Sequence, residues 1–538
     1  MDKKVRIRPD VAMASSFIST ALIMLLCVVF YKITGKEGAG FLSAPISLFI
    51  IALCVFIFAF ESVTKEMVRG RIRRGQMLNA KKNVRQFMLI SFATGIVFAV
   101  IVAAFSKVIS DYVFHSPRNF MVLVIMAPVF VFLSIQGVCR GYLSGAGFSF
   151  VSVVSNIILV VVTYACSLIL SHLSYSYGMK VNALMHVDDI ASAYGAVGAA
   201  VGISVGGLIS LVFVIIVMLL RRNDLKSLAD ESAPVKLEHK NECIFDLAVN
   251  ILLFATFGIL LFLDQCVYMS IANKIHPSED NVASWGIYFA QCAVMVSVVV
   301  FLTAVPFLKS WFGVHVAIAK KDYKAARGRL QKLVHFQAML IFPVVLWIMV
   351  LAKTLTTIIF GKSDDAAINM IVYAIPVAIF GEIFLFQIFI LRQLKNYMVL
   401  LFNVVIGIIV HVAVLLVMTI GFSMGIHASI AAFFGMFFVQ AIIGYFELKF
   451  MLDYRQEFLR TIFLPFICAG ISALITLAVD RIFVNLVGEI LTLVVSILFA
   501  FISYMVLLIV LKSVNRYEVE KMPFGDQFAL LSDKMSDR

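Results

Sequence analysis

The sequence predicts an all-α polytopic membrane protein with fourteen transmembrane helices. Of its 538 residues, 62% are hydrophobic and only 14% are charged, whereas a soluble protein carries about 25% charged residues. Apolar runs recur along the whole chain, and each is close to the ~20 residues that a helix needs to cross a bilayer. A soluble helical bundle would need far more polar surface than this chain has.

The apolar runs define the predicted spans in chain order. The first follows a basic start, "MDKKVRIRPD", and no small-residue cleavage site comes after it, so we expect a retained span and not a signal peptide. The fourteen spans are 11–32, 41–61, 86–106, 119–138, 149–171, 191–220, 245–270, 283–307, 333–352, 367–391, 397–420, 425–447, 459–479 and 486–511.

The distribution of basic residues predicts the orientation. With the N-terminus in the cytoplasm, 35 of the 44 Lys and Arg residues fall on the cytoplasmic side and 9 on the opposite side. This asymmetry follows the positive-inside rule and predicts that both termini are cytoplasmic. The net charge of +13 then belongs to a cytoplasmic fringe that attracts anionic membrane lipids. No fold signal supports nucleic-acid binding.

A weak internal repeat relates the two halves of the chain. The basic segment "RRGQMLNAKKNVRQF" (73–87) follows the second span, and "AKKDYKAARGRLQKL" (319–333) follows the eighth. The matched pairs lie 246 to 248 residues apart and keep their order: Ala80 with Ala326, Lys107 with Lys353, Pro128 with Pro376, and Asn156 with Asn403. Both halves begin on the cytoplasmic side, so the predicted repeat is parallel, with a pseudo-twofold axis along the membrane normal.

The repeat predicts two six-helix lobes followed by two additional helices. The predicted parts are an N-lobe at 1–220, a cytoplasmic linker at 221–242, a C-lobe at 243–448, spans 13 and 14 within 449–512, and a cytoplasmic tail at 513–538. Two parallel lobes around a central cleft are typical of transporters that work by alternating access.

Small residues and prolines predict where helices pack and bend. Gly198, Gly202 and Gly206 form a GxxxGxxxG face that lets helix backbones approach closely. Pro128, Pro343 and Pro376 are expected to bend the fourth, ninth and tenth spans.

No sequence feature predicts an enzyme, a cofactor or a metal site. The chain has no P-loop, no HExxH and no GxSxG motif. Its eight cysteines lie in or beside apolar runs without CxxC spacing, which indicates packing residues instead of zinc ligands.

Four short motifs resemble those of a known transporter superfamily. They are "SSFIST" (15–20), "CRGYLSG" (139–145), "SN" (155–156) and "FLDQ" (262–265). With the 6+6+2 arrangement of spans, they resemble the multidrug/oligosaccharidyl-lipid/polysaccharide (MOP) exporter superfamily. Within it, the chain is most similar to the polysaccharide-biosynthesis and stage V sporulation protein B group, which includes lipid II flippases.

The resemblance implies a flippase of the bacterial cytoplasmic membrane. Such a protein moves an undecaprenyl-diphosphate-linked saccharide or peptidoglycan precursor to the outer leaflet by alternating access. We expect a monomer in contact with membrane lipids, with no cofactor, and driven by Na⁺, H⁺ or the membrane potential.

Two other functions stay open at this stage. One is a cation-coupled multidrug exporter of the same superfamily, although such exporters usually have twelve spans and an acidic residue in the first, and 11–32 contains neither Asp nor Glu. The other is a non-transporting membrane scaffold for envelope assembly, which would fit the lack of Lys and Arg inside the spans.

Asp264, beside Gln265 in span 7, is the first candidate for a substrate or ion pathway. A charged side chain at mid-membrane costs about 2.5–3.5 kcal/mol on insertion scales, so such residues usually face the protein interior or water. Asp264 could couple transport to a cation or a proton, or accept a hydrogen bond from a sugar headgroup. Alternatively, it could bond to Gln265 or Gln291 and hold spans 7 and 8 together.

Further candidates lie in other spans. Glu382 in span 10 is the second intramembrane acid, and His411 in span 11 is either a titrating ligand or a packed, hydrogen-bonded side chain. Asn156 and Asn403 occupy equivalent places in the two lobes, where they either line the cavity or hold helices together.

Arg140 is the remaining candidate, at the cytoplasmic end of span 4. Together with Arg392 and Lys395 it could bind a diphosphate at the inner mouth, or it could serve only to anchor the topology. We expect Glu61 and Glu447, at cytoplasmic helix ends, to be solvated.

Overall fold

A computed structural model describes residues 9–187, 189–230, 241–275, 280–361, 364–394, 396–514, 518 and 520. The described part of the chain is helical throughout and contains no strand. Its α-helices are α1 (Pro9–Ala52), α2 (Glu61–Arg73), α3 (Met77–Ala104), α4 (Ser106–Val108), α5 (Asn119–Gly145), α6 (Phe150–Met185), α7 (Ile190–Leu220), α8 (Arg222–Asp230), α9 (Asn241–Ile275), α10 (Asn281–Ile287), α11 (Ala293–Ala304), α12 (Leu308–Ala319), α13 (Tyr323–Val350), α14 (Ala352–Phe360), α15 (Asp365–Ala374), α16 (Val377–Gln393), α17 (Tyr397–Leu416), α18 (His427–Leu452), α19 (Leu464–Val487) and α20 (Glu489–Val510).

Short segments of other helical types join several of these α-helices. Leu53–Phe60, Ile109–Val113, Tyr288–Cys292, Val417–Gly421 and Leu459–Phe463 are π-helical, and Val305–Phe307 is a 3₁₀ turn. A π-helical turn inside a membrane helix changes the direction of the following side chains and often accompanies a functional site.

Thirteen helices within the described residues are long and apolar enough to cross a membrane. The first of them, Phe17–Arg73, includes residues 17–32 of the first predicted span and the whole of the second, 41–61. The backbone leaves helical geometry at Gly35, with φ 72° and ψ −171°, a conformation that glycine adopts without a steric penalty. The polytopic all-α class is therefore confirmed, and the predicted count of fourteen is approximate.

Two predicted cytoplasmic loops are mostly helix. Helix α3 begins at Met77, inside the basic segment 73–87, and α13 begins at Tyr323, inside 319–333. A hydropathy window detects only the part of a helix that meets hydrocarbon, and the backbone bonds of a helix continue equally well into water. These two helices therefore begin nine and ten residues before the predicted spans, whose own bounds stay a prediction.

The helix boundaries repeat at the spacing that the sequence predicts. Helices α3 and α13 both begin and end 246 residues apart. Helices α5 and α15 also begin 246 residues apart, and α6 and α17 begin 247 residues apart. Pro128 lies within the continuous α5, whereas the matching Pro376 separates α15 from α16.

The contacts divide the chain into two compact units. Unit 1 comprises the residues up to Ala290 together with Val404–Ala432, and unit 2 comprises Gln291–Asn403 together with the residues from Phe433 onward. The predicted lobe boundaries come from the repeat and stay a prediction. Most of the tail 513–538, and residues 231–240 of the linker, lie outside the described residues.

Glycines set the closest helix contacts of unit 1. A Cβ atom on Gly137 would meet the Phe56 carbonyl, and one on Gly141 would meet the Glu61 carbonyl. The glycines on this face of α5 therefore let its backbone pack directly on the stretch that contains α2. The predicted glycine face of α7 packs in the same way, on α6.

In unit 2 the last two helices pack with α13. The Trp347 indole donates a hydrogen bond to the Ser472 hydroxyl of α19 at 3.1 Å, and the Tyr504 hydroxyl of α20 donates to the Met339 carbonyl at 2.8 Å. Both donors are thereby satisfied, which holds α19 and α20 against α13.

Candidate functional site

Asp264 lies inside unit 1 and makes hydrogen bonds with two other helices. Its Oδ1 atom is 2.7 Å from Nε2 of His411 on α17, and its Oδ2 atom accepts a hydrogen bond from the Ser429 hydroxyl of α18. The side chains of Asp264 and His411 are both fully buried. His411 and Ser429, which lie 147 and 165 residues after Asp264 along the chain, thus form one polar cluster with it.

The cluster extends to an aromatic ring. The hydroxyl groups of Ser429 and Tyr288 are 3.4 Å apart, and Tyr288 belongs to the π-helical segment after α10. The Tyr288 ring packs beside Trp285, with 5.0 Å between centroids. Asp264, His411 and Tyr288 thus each have a hydrogen-bonding partner, which compensates for their burial away from water.

Buried apolar side chains occur on the same three helices as the Asp264 cluster. Leu415, Ala428 and Ala432 pack together, and Val267 and Val414 pack against them. An electrostatic interaction is stronger away from water than in it. The hydrogen bonds of the fully buried Asp264 carboxylate are therefore little screened by solvent.

Helix α9 continues five residues beyond the predicted end of span 7. It ends at Ile275, so Asp264 lies eleven residues before the helix end. At a rise of 1.5 Å per residue this distance is about 16 Å, whereas the predicted span end at residue 270 implied about 9 Å. Asp264 is deeper within its helix than the sequence predicted.

Gln265 bonds to another helix and not to Asp264. Its Nε2 atom donates to the Ser43 hydroxyl of α1 at 2.8 Å, and Ser43 in turn donates to the Gly40 carbonyl at 2.7 Å. Gln265 and Ser43 are both buried. The adjacent residues Asp264 and Gln265 of α9 therefore bond to different helices.

Glu382 forms a separate cluster in unit 2. Its carboxylate accepts hydrogen bonds from the Thr303 hydroxyl of α11 and the Gln337 amide of α13. The side chain is fully buried. Both of these donors are neutral groups, whereas one of the two partners of Asp264 is a histidine.

Arg140 pairs with Glu61 inside unit 1. The distance between Nε of Arg140 and Oε2 of Glu61 is 2.8 Å, and their side chains are only 6% and 12% exposed. Nη2 of Arg140 also donates to the Ser152 carbonyl at 3.0 Å. The prediction of a solvated Glu61 was wrong, because the glycines of α5 bring Arg140 directly over that carboxylate.

The two equivalent asparagines both join helices. Asn156 donates to the Ser19 hydroxyl at 3.1 Å, so two of the motifs that suggested the resemblance contact each other. In unit 2, Asn403 donates to the Glu447 carboxylate at 3.0 Å. Arg392 lies at the end of α16, and Lys395 lies outside the described residues.

Several members of these clusters were not among the residues predicted from the sequence. Ser429, Tyr288, Thr303 and Gln337 each bond to a candidate residue or to its partner, yet Ser, Tyr and Thr are common in membrane spans. Ser429 had a weak signal, because it lies two residues after His427 in an otherwise apolar run. Thr303 and Gln337 had no comparable signal.

The described residues contain no group of three or more His, Cys, Asp or Glu that could hold a metal ion. In unit 1, a cavity of about 20 Å³ lies between apolar side chains that include Phe30, Leu42 and Ile203. That volume accommodates at most one water molecule and no saccharide headgroup.

Three solved structures with the same fold are similar to this chain along most of its length. One is described as "Lipid II flippase MurJ, inward closed conformation": it has a TM-score of 0.63 and 13% identity, and the alignment covers 92% of this chain and 97% of that one. The second is an inward-facing multidrug resistance MATE family transporter of the MOP superfamily, with a TM-score of 0.56, 14% identity, and coverage of 81% and 94%.

The third is a MOP superfamily transporter from Pyrococcus furiosus, with a TM-score of 0.54, 13% identity, and coverage of 82% and 95%. No protein-family model and no curated protein sequence matches the chain. The chain therefore has the fold of MOP-superfamily transporters, which confirms the predicted resemblance at the level of the fold.

Proposed function

We propose that this protein is a membrane transporter that moves a lipid-linked saccharide, carried on undecaprenyl diphosphate, from the inner to the outer leaflet. The observation that carries the transport proposal is the Asp264–His411–Ser429 cluster. A fully buried acid and histidine on different membrane helices are expensive to keep in an apolar protein, and such groups usually serve ion or substrate movement.

The extent of the structural likeness supports a lipid-linked substrate over a drug. The flippase structure covers 92% of this chain, whereas the MATE transporter covers 81%. The extra length fits the two helices α19 and α20, which a twelve-helix exporter does not need. The substrate headgroup would pass through the protein while its polyprenyl chain stays in lipid.

Reconstitution into vesicles tests the proposed function. Purified protein is placed in liposomes with a fluorescent undecaprenyl-diphosphate-linked saccharide or, in parallel, with a cationic dye. We expect the lipid-linked saccharide to reach the opposite leaflet and the dye to stay on its own side. Transport of the dye alone would instead identify a drug exporter.

The Asp264→Asn variant tests the role of the cluster in the same vesicles. Asparagine has the size of aspartate but carries no charge, so we expect a folded protein with at least a tenfold lower translocation rate. Size-exclusion chromatography checks the fold. Translocation at the wild-type rate by this variant would remove Asp264 from the coupling mechanism.

Depletion of the protein in its host provides the cellular test. We expect the lipid-linked precursor to accumulate on the inner leaflet, where lipid extraction and mass spectrometry identify it. A growth defect without precursor accumulation, combined with no transport in vesicles, would favour the scaffold function.

A further inference from the structure

A groove between α1 and α6 in unit 1 shares no residue with the Asp264 cluster. Its volume is about 540 Å³, within the range of roughly 300–1,000 Å³ that is usual for ligand pockets. It is lined by Lys32, Ile33, His172, Tyr175, Ser176 and Met179. We propose that this groove binds the headgroup of an anionic phospholipid, with the phosphate held by Lys32 and His172. The proposal does not depend on which substrate the protein transports.

The groove lies at the level where lipid headgroups are expected. Lys32 is the last residue of the first predicted span, and His172 follows the last residue of the fifth. Helix α6 continues to Met185, so its wall of the groove belongs to the part of the helix beyond the predicted span. The predicted orientation assigns this end of both helices to the outer leaflet.

The charges around the groove suit an anion. None of the described residues that line it is acidic, and Lys32 forms no ion pair with another described residue. Lys32, Lys36 and Lys180 are three of the nine basic residues predicted on the outer side, and all three line the groove or are close in sequence to residues that do. The nearest acid along α1, Glu37, interacts with the charge of Arg118.

Helix α7 fixes the spacing of the two walls. A Cβ atom on Gly195 of α7 would meet both Thr34 of α1 and Tyr175 of α6. The Ser192 hydroxyl of α7 also donates to the Thr34 carbonyl at 3.1 Å. Because the three helices meet at this point, the groove is part of their packing and does not depend on a loop.

Three side chains of the groove can donate hydrogen bonds to a phosphate. They are the ammonium group of Lys32, the imidazole of His172 and the phenol of Tyr175. The Ser176 hydroxyl already donates to the His172 carbonyl at 2.9 Å, so its proton is in use. Lys32 balances the single negative charge of a phosphodiester, and the other two donors bind its remaining oxygen atoms.

An apolar surface leads from the groove toward the membrane interior. Ile169 lies one turn before His172 on the same face of α6 and is 59% exposed, and Leu173 is 60% exposed. The acyl chains of a bound lipid would lie along this surface. A free phosphate ion would gain nothing from it, so the geometry favours a phospholipid over a soluble anion.

Native mass spectrometry of the purified full chain in detergent tests the proposal. Titration with phosphatidylglycerol should show one bound lipid whose apparent affinity falls about tenfold in Lys32→Gln, because a charge-assisted hydrogen bond is lost. His172→Gln should weaken the binding in the same direction. Zwitterionic phosphatidylcholine should distinguish wild type from Lys32→Gln far less.

A second variant and a matched control separate the groove from general surface charge. Ser176→Trp keeps both basic side chains but fills the groove, so it should weaken phosphatidylglycerol binding as strongly as Lys32→Gln. Lys107 is an exposed basic residue predicted on the same side of the membrane, and Lys107→Gln should leave the affinity unchanged. Size-exclusion chromatography checks the fold of each variant.

Two results would overturn the proposal directly: equal phosphatidylglycerol affinities of wild type, Lys32→Gln and Ser176→Trp, or an equal loss in Lys107→Gln. Competition then tests the source of the phosphate. Inorganic phosphate should not displace the bound lipid. Displacement by undecaprenyl diphosphate at a lower concentration than by phosphatidylglycerol would assign the groove to the transported lipid and reject the phospholipid. These measurements need no translocation, so they remain decisive if the proposed function fails.

Discussion

At the scale of single residues, the Arg140–Glu61 pair is expected to stabilise unit 1. We expect Arg140→Ala to lower the free energy of unfolding by about 3–5 kcal/mol, because it leaves the Glu61 carboxylate buried without its charged partner. The fall would appear as a lower midpoint of thermal unfolding in detergent. The double variant Arg140→Ala/Glu61→Gln should recover part of the loss.

An exposed ion pair provides the control for this prediction. The side chains of Arg221 and Asp224 are 41% and 51% exposed, with 3.2 Å between Nη1 and Oδ2. Such surface pairs contribute about 0.2–1 kcal/mol, so Arg221→Ala should change the midpoint far less. Equal effects of the two arginine variants would contradict the structural role of the Arg140 pair.

Unusual residues in an apolar span can be recognised from the sequence, but their partners cannot. Asp264 and His411 were each recognisable as unusual in an apolar span, and Glu382 was recognisable for the same reason. Their partners were not, since hydrogen bonds between residues 147 positions apart depend on how three helices pack. The prediction that Asp264 could bond to Gln265 failed because adjacent residues on a helix point in different directions.

At the scale of helices, the close packing of the α5 glycine face leads to a testable prediction. We expect Gly137→Val to destabilise the protein by about 1–3 kcal/mol or more, because the added side chain would collide with the Phe56 carbonyl. Thermal unfolding in detergent measures the change. The folded fraction recovered by size-exclusion chromatography should fall with it.

Gly70 on α2 is the matched control. Beyond the neighbouring residues and backbone of its own helix, a Cβ atom there would have no other atom within 4 Å. Alanine is also a better helix former than glycine by about 0.5–1 kcal/mol, so Gly70→Ala should keep or raise the unfolding midpoint. If Gly137→Val were tolerated as well as Gly70→Ala, α5 would not pack as described.

At the scale of the whole molecule, the distribution of basic residues predicts the membrane orientation. In a variant without the eight native cysteines, a cysteine at Lys226 should react with a membrane-impermeant maleimide only in inverted vesicles. A cysteine at His186, between α6 and α7, should react in intact cells. These residues lie at opposite ends of α7, so the two patterns must be opposite.

The same experiment has a clear contrary outcome. Labelling of the residue 226 cysteine in intact cells would invert the predicted topology, and the proposed direction of transport would invert with it. Labelling of both positions from one side would mean that α7 does not cross the membrane. Detergent-solubilised protein, in which both cysteines are accessible, is the control for reactivity.

The sequence by itself determined the membrane class, the approximate number of helices and the spacing of the repeat. These features depend on local hydrophobicity and on residue order, and the 246-residue offset between α3 and α13 follows the repeat directly. Only the tertiary structure decided that Asp264 meets His411, that Glu61 is buried under Arg140, and that basic segments continue as helix. The first two outcomes depend on side chains that the fold brings together from distant parts of the chain. Hydrogen bonding and close packing, and not composition, decide which side chains become partners.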